Sequence, residues 1–338
     1  MDLLILGGTR FVGRHFTAAA LAAGHRVTLF HRGISNPGLF PAAETLHGDR
    51  DRDGDLAALA GRRWDAVVDC CGYRPEQVRA SAQRLVAAVE LYAFISTISV
   101  YADFSTGPDE ESPLRAPPDP AAADGDSYGV LKAQCEREIE QAMPGRVLHV
   151  RPGLLIGPHD RTRRFSHWVH RVAAGGEVLA PGRPEDPLQL LDARDLAVWV
   201  LRAVERRTTG RYNVASPRGG LTFGGVLAAC RAAAGSEARF TWVDEDFLLA
   251  HEVAPSSDLP LWLPRSVHGF YAVDSSCAKA AGLVPRPLAH SVSAVLAESP
   301  VAAEPAGGGA AARLTRQREA ELLHAWHHAA VPAPPPAT

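Results

Sequence analysis

At 338 residues the chain is long enough for one large α/β domain or two lobes, each with a sizeable core. Hydrophobic residues make up 46% and charged residues 22%, as in ordinary globular enzymes, and the net charge of −3 gives no general attraction to nucleic acid or anionic membrane. The apolar run Leu3–Leu6 is too short for a membrane span or a signal segment, so a cytoplasmic protein is expected.

Asp2–Leu6 reads as a buried strand that runs into Gly7-Gly8. Phe11–Ala23 has helical apolar spacing and stops at Gly24, and Arg26–Phe30 is a second strand. A third short apolar segment ends in His47-Gly48-Asp49-Arg50. Leu56–Leu59 suggests a short helix, Trp64–Cys70 a strand, Glu76–Val89 a helix and Tyr92–Ser96 a strand. Tyr128–Met143 reads as a helix and Arg146–Val150 as a strand. Alternation of this length predicts right-handed βαβ units and a parallel sheet. Further on, Phe165–Ala174 and Asp195–Glu205 are helical, with Asp192 and Asp195 suited to capping, and Arg211–Val214 is a short strand. Beyond 216 the pattern becomes mixed and Pro-rich. Residues 299–312 are low-complexity, a helix is expected over 315–327, and the Pro-rich end is expected to be disordered.

The turn Gly7-Gly8-Thr9-Arg10-Phe11-Val12-Gly13 lies between a strand and a helix. Glycines there allow a tight turn and close approach of a pyrophosphate, which the helix N-terminus can bind through oriented N–H groups. The second strand ends in Phe30-His31-Arg32-Gly33, with no acidic residue for a ribose 2′-hydroxyl. Arg32, beside His31, can meet a 2′-phosphate instead, with Arg10 assisting, so NADP(H) is expected to be preferred over NAD(H). The alternative is two solvated arginines in an Arg-rich protein. Asp49 is a candidate acceptor for the adenine amino group, and Cys71-Gly72 offers small residues for close passage of the cofactor.

Tyr128-Gly129-Val130-Leu131-Lys132 is the sharpest feature. Residues four apart share a helix face, so phenol and ammonium lie on one side. A phenol titrates near 10 and needs a neighbouring cation to act near neutral pH. Of 35 basic residues only Lys132 and Lys279 are lysines, which makes the pairing informative. Phe94–Tyr101 places hydroxyls at the C-terminal end of a strand, where ligands sit in open α/β sheets. The cysteines at 70, 71, 135, 230 and 277 form no CxxC spacing, and His327-His328 are adjacent and share no helix face, so no metal is expected.

Taken in order, the glycine turn, the Ser96–Tyr101 segment, Tyr128-x-x-x-Lys132 and Arg151–Pro158 resemble the short-chain dehydrogenase/reductase superfamily, in its extended or atypical NAD-dependent epimerase/dehydratase branch. The resemblance covers roughly residues 1–215. It implies a Rossmann-type doubly wound parallel sheet with a smaller C-terminal substrate-binding lobe: 1–155 with 188–215 returning to it, then 156–187 and 216–328, and a tail over 329–338. It further implies Tyr128 as acid/base, Lys132 on the nicotinamide ribose, and Thr97 as the catalytic hydroxyl with Ser96 adjacent. Ile98-Ser99 stand where the superfamily's dehydratases carry an Asp-Glu pair, so dehydration is disfavoured.

The expected activity is reduction of a carbonyl on a sugar-like or secondary-metabolite substrate. The alternative is epimerisation of a sugar-type substrate. A third reading is RNA binding, because chloroplast stem-loop RNA-binding proteins carry a similar Gly-Gly-Thr-Arg-Phe turn; the acidic balance counts against it. Tyr101, Arg164, Trp168 and Gln189 are the expected substrate contacts, with Arg161 and Arg163 flanking. The expected partner is a small molecule rather than nucleic acid or membrane, with a homodimer left open.

Overall fold

A computed structural model describes residues 1–52, 54–116, 127–298 and 313–329. The first strand, β1 (Asp2–Leu6), is central. Leu3, Leu4, Ile5 and Leu6 are wholly buried because helices cover both faces, which is why the strand is a continuous apolar run rather than an alternating one. Each such side chain contributes roughly 1.5–3 kcal/mol of burial.

The helix α1 (Phe11–Ala22) leads to β2 (Arg26–His31), β3 (Glu44–His47) and β4 (Trp64–Asp69). The helix α2 (Pro75–Leu85) opens on a proline at its first position and leads to β5 (Val89–Ile95). The helix α3 (Ser127–Ala142) and β6 (Val147–Pro152) follow, and Gly210–Val214 forms the far edge. The strands are all parallel, in the order Gly210–Val214, β6, β5, β4, β1, β2, β3, with Ile5 between Leu29 and Val68. The order reverses beside β1, and open sheets bind ligands at such a switch point. The expected α/β doubly wound sheet is therefore present.

The period of two along each strand sorts the core onto two faces. Leu3, Ile5, Leu29 and Val68 pack with Phe16 of α1 and with Leu196 and Val200 of a returning helix, Ala193–Glu205. Leu4, Leu6, Val67 and Phe94 pack with Val78 and Ala82 of α2 and with Cys135 and Ile139 of α3. Asp192 caps the returning helix, accepting from the Arg194 N–H at 2.9 Å.

Two boundaries differ from expectation by three residues or more. The helix expected over 76–89 stops at Leu85, and β5 begins at Val89 rather than Tyr92. Val89 is buried and pairs with Trp64, so sheet pairing overrides the helical apolar spacing. The chain divides into two compact units, one of 1–155, 189–218 and 269–286, the other of 156–188, 219–268 and 287–338. Residues 269–286, expected in the second lobe, thus pack in the first unit. Ala278 and Leu283 enter its core, Trp199 Nε1 donates to the Ala278 carbonyl at 3.2 Å, and Asn213 Nδ2 donates to that of Asp274 at 3.0 Å. The low-complexity stretch 299–312 and the end from 330 lie outside the described residues.

In the second unit, Glu177–Pro181 pairs in parallel with Arg239–Val243, and Arg164–Ala173 packs against Phe223–Ala234. Arg171 pairs with the buried Glu319 carboxylate at 2.8 Å, fastening the helix Arg316–Ala329. No helix among the described residues is long and apolar enough to cross a membrane.

One buried ion pair fixes α3 on the sheet. Arg151 at the end of β6 forks onto Glu136 of α3 at 3.0 and 2.7 Å, and both side chains are almost wholly buried. Burial alone would raise the Glu136 carboxyl, but the guanidinium holds it below its ordinary value. That contribution to stability is full above the ordinary carboxyl range and is lost as pH falls through the depressed folded value. Urea unfolding of Arg151→Met near neutral pH should show a loss of about 3–5 kcal/mol, because Glu136 is left buried and unpaired. The double variant Arg151→Met/Glu136→Leu should recover much of it; equal losses would remove the pair as the cause.

Candidate active site

Gly7 and Gly8, at the end of β1, sit at φ +95° and +90°, a region that L side chains avoid. A Cβ on Gly8 would lie 2.8 Å from Leu29 Cδ2, and one on Gly13 would lie 2.9 Å from the Gly8 backbone. The turn therefore packs tightly against both β2 and the first helical turn. No side chain caps α1, and its first turn carries no acidic residue. An anion can thus meet those N–H groups directly.

A cleft of ≈ 210 Å³ opens at the carboxyl ends of β1 to β4, entirely within the first unit. Gly7, Gly8, Thr9, Arg10, His31, Arg32, Asp49 and Cys71, each expected to meet a cofactor, all line it. Arg32 is exposed, with Nη1 4.0 Å from an Asp49 carboxylate oxygen, a separation at which the cation remains available to a second anion. Asp49 Oδ1 accepts from the Asp51 N–H at 3.1 Å. His31 accepts from the Gly33 N–H through Nδ1 at 3.0 Å, and burial, with help from His47, lowers its pKa. Its neutral form suits that bond.

The remaining glycine-turn residues do not line the cleft. Phe11 lies edge-on to His15 with ring centroids 6.0 Å apart, Val12 packs on the core, and Gly13 supports the turn. Gly72 points inward, where a Cβ would come 2.7 Å from Val78 and 2.8 Å from Phe94, and its carbonyl serves Lys132.

Tyr128 begins α3 and is half-exposed, whereas Lys132, one turn later, is buried. The Lys132 ammonium donates to the carbonyls of Gly72 at 2.9 Å and Ile95 at 2.6 Å and lies 4.0 Å from the centroid of the Phe94 ring. It bridges the ends of β4 and β5. Burial pulls its pKa down to about 8, against the opposing pull of Asp69. Thr97 is buried at the end of β5, and its Oγ1 accepts from the Ser99 N–H at 3.1 Å, which leaves the hydroxyl proton to donate elsewhere. The short helical turn Ile98–Val100 then meets the start of α3. At Gly129 the approach is so close that a Cβ would fall 2.1 Å from the Ser99 carbonyl oxygen.

The expected substrate contacts are placed differently. Tyr101 is wholly buried, its hydroxyl donating to Asn213 Oδ1 at 2.7 Å and accepting from Arg151 Nη1 at 2.9 Å. The Gln189 amide is buried, donating to the Ser216 and Val273 carbonyls at 2.8 and 2.9 Å and accepting from the Val273 N–H at 3.2 Å. Trp168, in the second unit, is buried edge-on against Phe223 and donates to the Pro260 carbonyl. These three are interior residues whose polar atoms are engaged by protein groups. Arg164 is half-buried in the second unit, its Nε 3.1 Å from Thr162 Oγ1.

Arg50, Asp51, Tyr73 and Gln77 also line the cleft, and sequence reasoning missed them. Asp49-Arg50-Asp51-Arg52 has the look of a solvated turn. The available signal was Asp69, a carboxylate ending an otherwise apolar strand, which needs a buried cation. That cation is Arg50.

The sequence profile of the NAD dependent epimerase/dehydratase family matches residues 3–215. The chain is similar to the chloroplast stem-loop binding protein of 41 kDa b from Arabidopsis thaliana, 28% identical over 254 residues, which are 69% of this chain and 63% of that protein. Among solved structures, it resembles UDP-N-acetylglucosamine 4-epimerase from Bacillus cereus (TM-score 0.64, 19% identity, 87% of this chain and 98% of that one). It also resembles Thermus thermophilus UDP-glucose 4-epimerase in complex with NAD (TM-score 0.64, 18% identity, 88% and 100%). At such identities the structural likeness establishes the fold.

Gly129→Ala should lower the unfolding free energy by about 1–3 kcal/mol, since the start of α3 must retreat from Ser99. Gly54→Ala, with nothing within 4 Å of its Cβ position and no positive φ, should change it by less than about 0.5 kcal/mol. Equal urea midpoints for the two variants would mean that the close approach is not a constraint.

Proposed function

Because the chain belongs to the NAD dependent epimerase/dehydratase family, we propose that it binds NAD(P) in the cleft of the first unit and epimerises a sugar-type substrate, with Tyr128 moving the proton. The observation that carries this reading is the Lys132 ammonium, buried one helical turn from Tyr128 and pinned between the ends of β4 and β5. The cleft fits the cofactor: two positive-φ glycines, an uncapped helix N-terminus and flanking cations suit a pyrophosphate. Gly7, Gly8, Thr9 and Arg10 would hold the pyrophosphate and Asp49 the adenine, and Lys132 would face the nicotinamide ribose. When bound, the nicotinamide supplies reversible two-electron oxidation and reduction at a carbon centre.

The chain's own residues handle the proton. The fixed positive charge of Lys132 favours the Tyr128 phenolate over a free phenol, and the phenolate takes a proton from a substrate hydroxyl. Thr97 donates a hydrogen bond to the same oxygen as charge develops there. Returning the proton from Tyr128 completes an epimerisation; in the reduction of a carbonyl Tyr128 starts as the phenol and gives its proton to the substrate oxygen. As Lys132 loses its charge above a pH of about 8, this assistance fades, so turnover should fall on the alkaline side.

A second reading, net reduction of a ketone by NADPH, is favoured by one feature. Arg32 and Arg10 line the cleft where a 2′-phosphate would lie, and an exchangeable NADPH suits a reductase. The purified protein would be assayed for co-bound nucleotide, then for NADPH loss against keto-sugars and polycyclic ketones and for inversion of UDP-sugars. Inversion without net NADPH loss supports the epimerase; stoichiometric loss supports the reductase. Salt-sensitive RNA retention without nucleotide binding would overturn both. Tyr128→Phe should reduce kcat at least about 100-fold, the usual span of acid–base catalysis; near-wild-type turnover would sink the mechanism. Arg32→Ala should weaken NADPH binding about tenfold or more with little effect on NADH, as expected when a charged phosphate contact is lost. Equal kcat/KM ratios for the two cofactors before and after would remove the Arg32 assignment.

A further inference from the structure

We propose that the buried Arg50–Asp69 pair is a positioning device for Lys132, locking the turn whose Gly72 carbonyl holds the lysine's ammonium. Arg50 follows the end of β3 and reaches beneath the cleft wall, almost wholly buried. Its Nη1 and Nη2 donate to the two Asp69 oxygens at 2.7 and 2.9 Å, and Nη2 also donates to Ser81 Oγ of α2 at 2.9 Å. Asp69, wholly buried at the end of β4, accepts further bonds from the Tyr92 hydroxyl at 2.8 Å and the Cys71 N–H at 3.0 Å. Four donors from β3's exit, β5 and the turn itself thus converge on one carboxylate.

The turn cannot relax around this anchor. A Cβ on Gly72 would stand 2.9 Å from Asp69 Oδ2 as well as against Val78 and Phe94, so the turn packs directly on the anchoring carboxylate and admits only glycine there. That carbonyl is one of the two acceptors of the Lys132 ammonium. The pair also sets the local field. Asp69, Cys70 and Cys71 at the end of β4, Tyr73 in the turn, Arg50, and Cys135 and Glu136 on α3 face the ammonium; Asp69 favours its charged form and Arg50 disfavours it. The pair holds the turn while Arg50 offsets part of the pull of Asp69 on the lysine's proton equilibrium.

The catalytic significance of this device rests on the function proposed above, but its test does not require a substrate. The chain has two lysines, so ε-15N-lysine labelling of the full-length protein gives two Nζ resonances, with Lys279 as internal control. Each is titrated in wild type, Asp69→Asn and Arg50→Met, with folding checked by circular dichroism. The Lys132 midpoint should fall in Asp69→Asn by about one pH unit or more and rise by a smaller step in Arg50→Met, while Lys279 stays fixed. If Arg50→Met does not fold, the near-isosteric Asp69→Asn decides alone. A folded Asp69→Asn variant whose Lys132 midpoint matches wild type overturns the proposal and leaves the pair a scaffold only. A fluorescence titration of wild type, freed of any co-bound nucleotide, with NADH and with NADPH separates the two ideas. Absence of binding with displaced lysine midpoints defeats the cofactor reading and keeps the positioning role; binding with unmoved midpoints does the reverse.

Discussion

The ammonium of Lys132 is the point on which the arrangement of the first unit turns. A cation taken out of water is costly, and this one is compensated by two backbone carbonyls and an aromatic face rather than by a carboxylate in contact. Carbonyl dipoles stabilise it only if the backbone bearing them is rigid. Its burial therefore demands that the ends of β4 and β5 be fixed, and the surroundings meet that demand. Asp69 anchors one strand end, the Thr97–Ser99 bond shapes the other, and the Arg151–Glu136 fork holds the helix that carries the lysine. Arginine, with a wider and planar head, has no equivalent fit between two carbonyls, which accounts for a lysine in a chain that otherwise favours arginine.

Much of the sheet is legible in the residues themselves. Leu3–Leu6, Trp64–Asp69 and the strand around Phe94 are short apolar runs punctuated by glycine or by hydroxyl residues, and covering helices on both faces make such runs unambiguous. The boundary between α2 and β5 is not legible, because Val86-Ala87-Ala88-Val89 continues the helical apolar spacing and only pairing with Trp64 stops it. Residues 269–286 fail for another reason. Their contribution to the first unit is a few buried side chains and backbone carbonyls, and backbone acceptors leave no mark on a sequence.

The wall of the cleft is legible where geometry is local. The glycine turn and the residues ending β2 depend on neighbours in the chain, and their positions follow from strand and helix ends. The substrate contacts demand knowledge of which polar groups face inward. Tyr101, Gln189 and Trp168 have the chemistry of ligand-binding residues, yet each uses its polar atoms to satisfy the interior. Arg50 is the opposite case: within a run of alternating acidic and basic residues, one guanidinium turns inward to meet a carboxylate nineteen positions away. A buried charge is visible in a sequence only through its partner, and Asp69 at the end of an apolar strand is that trace.

The order of the strands also has a consequence in time. β1 is made before β4, its neighbour on one side, with Leu3 aligned to Ala66, and the helix that joins α1 in covering one of its faces begins only at Ala193. At about 5–20 residues per second, a nascent chain spends on the order of several seconds with Leu3–Leu6 made and β4 still unsynthesised. Through that interval this apolar strand has β2, α1 and the Leu56–Leu59 segment beside it, but none of β4, α2, α3 or the returning helix. The switch in strand order that creates the cleft thus also sets the period in which the growing chain is most exposed to wrong partners.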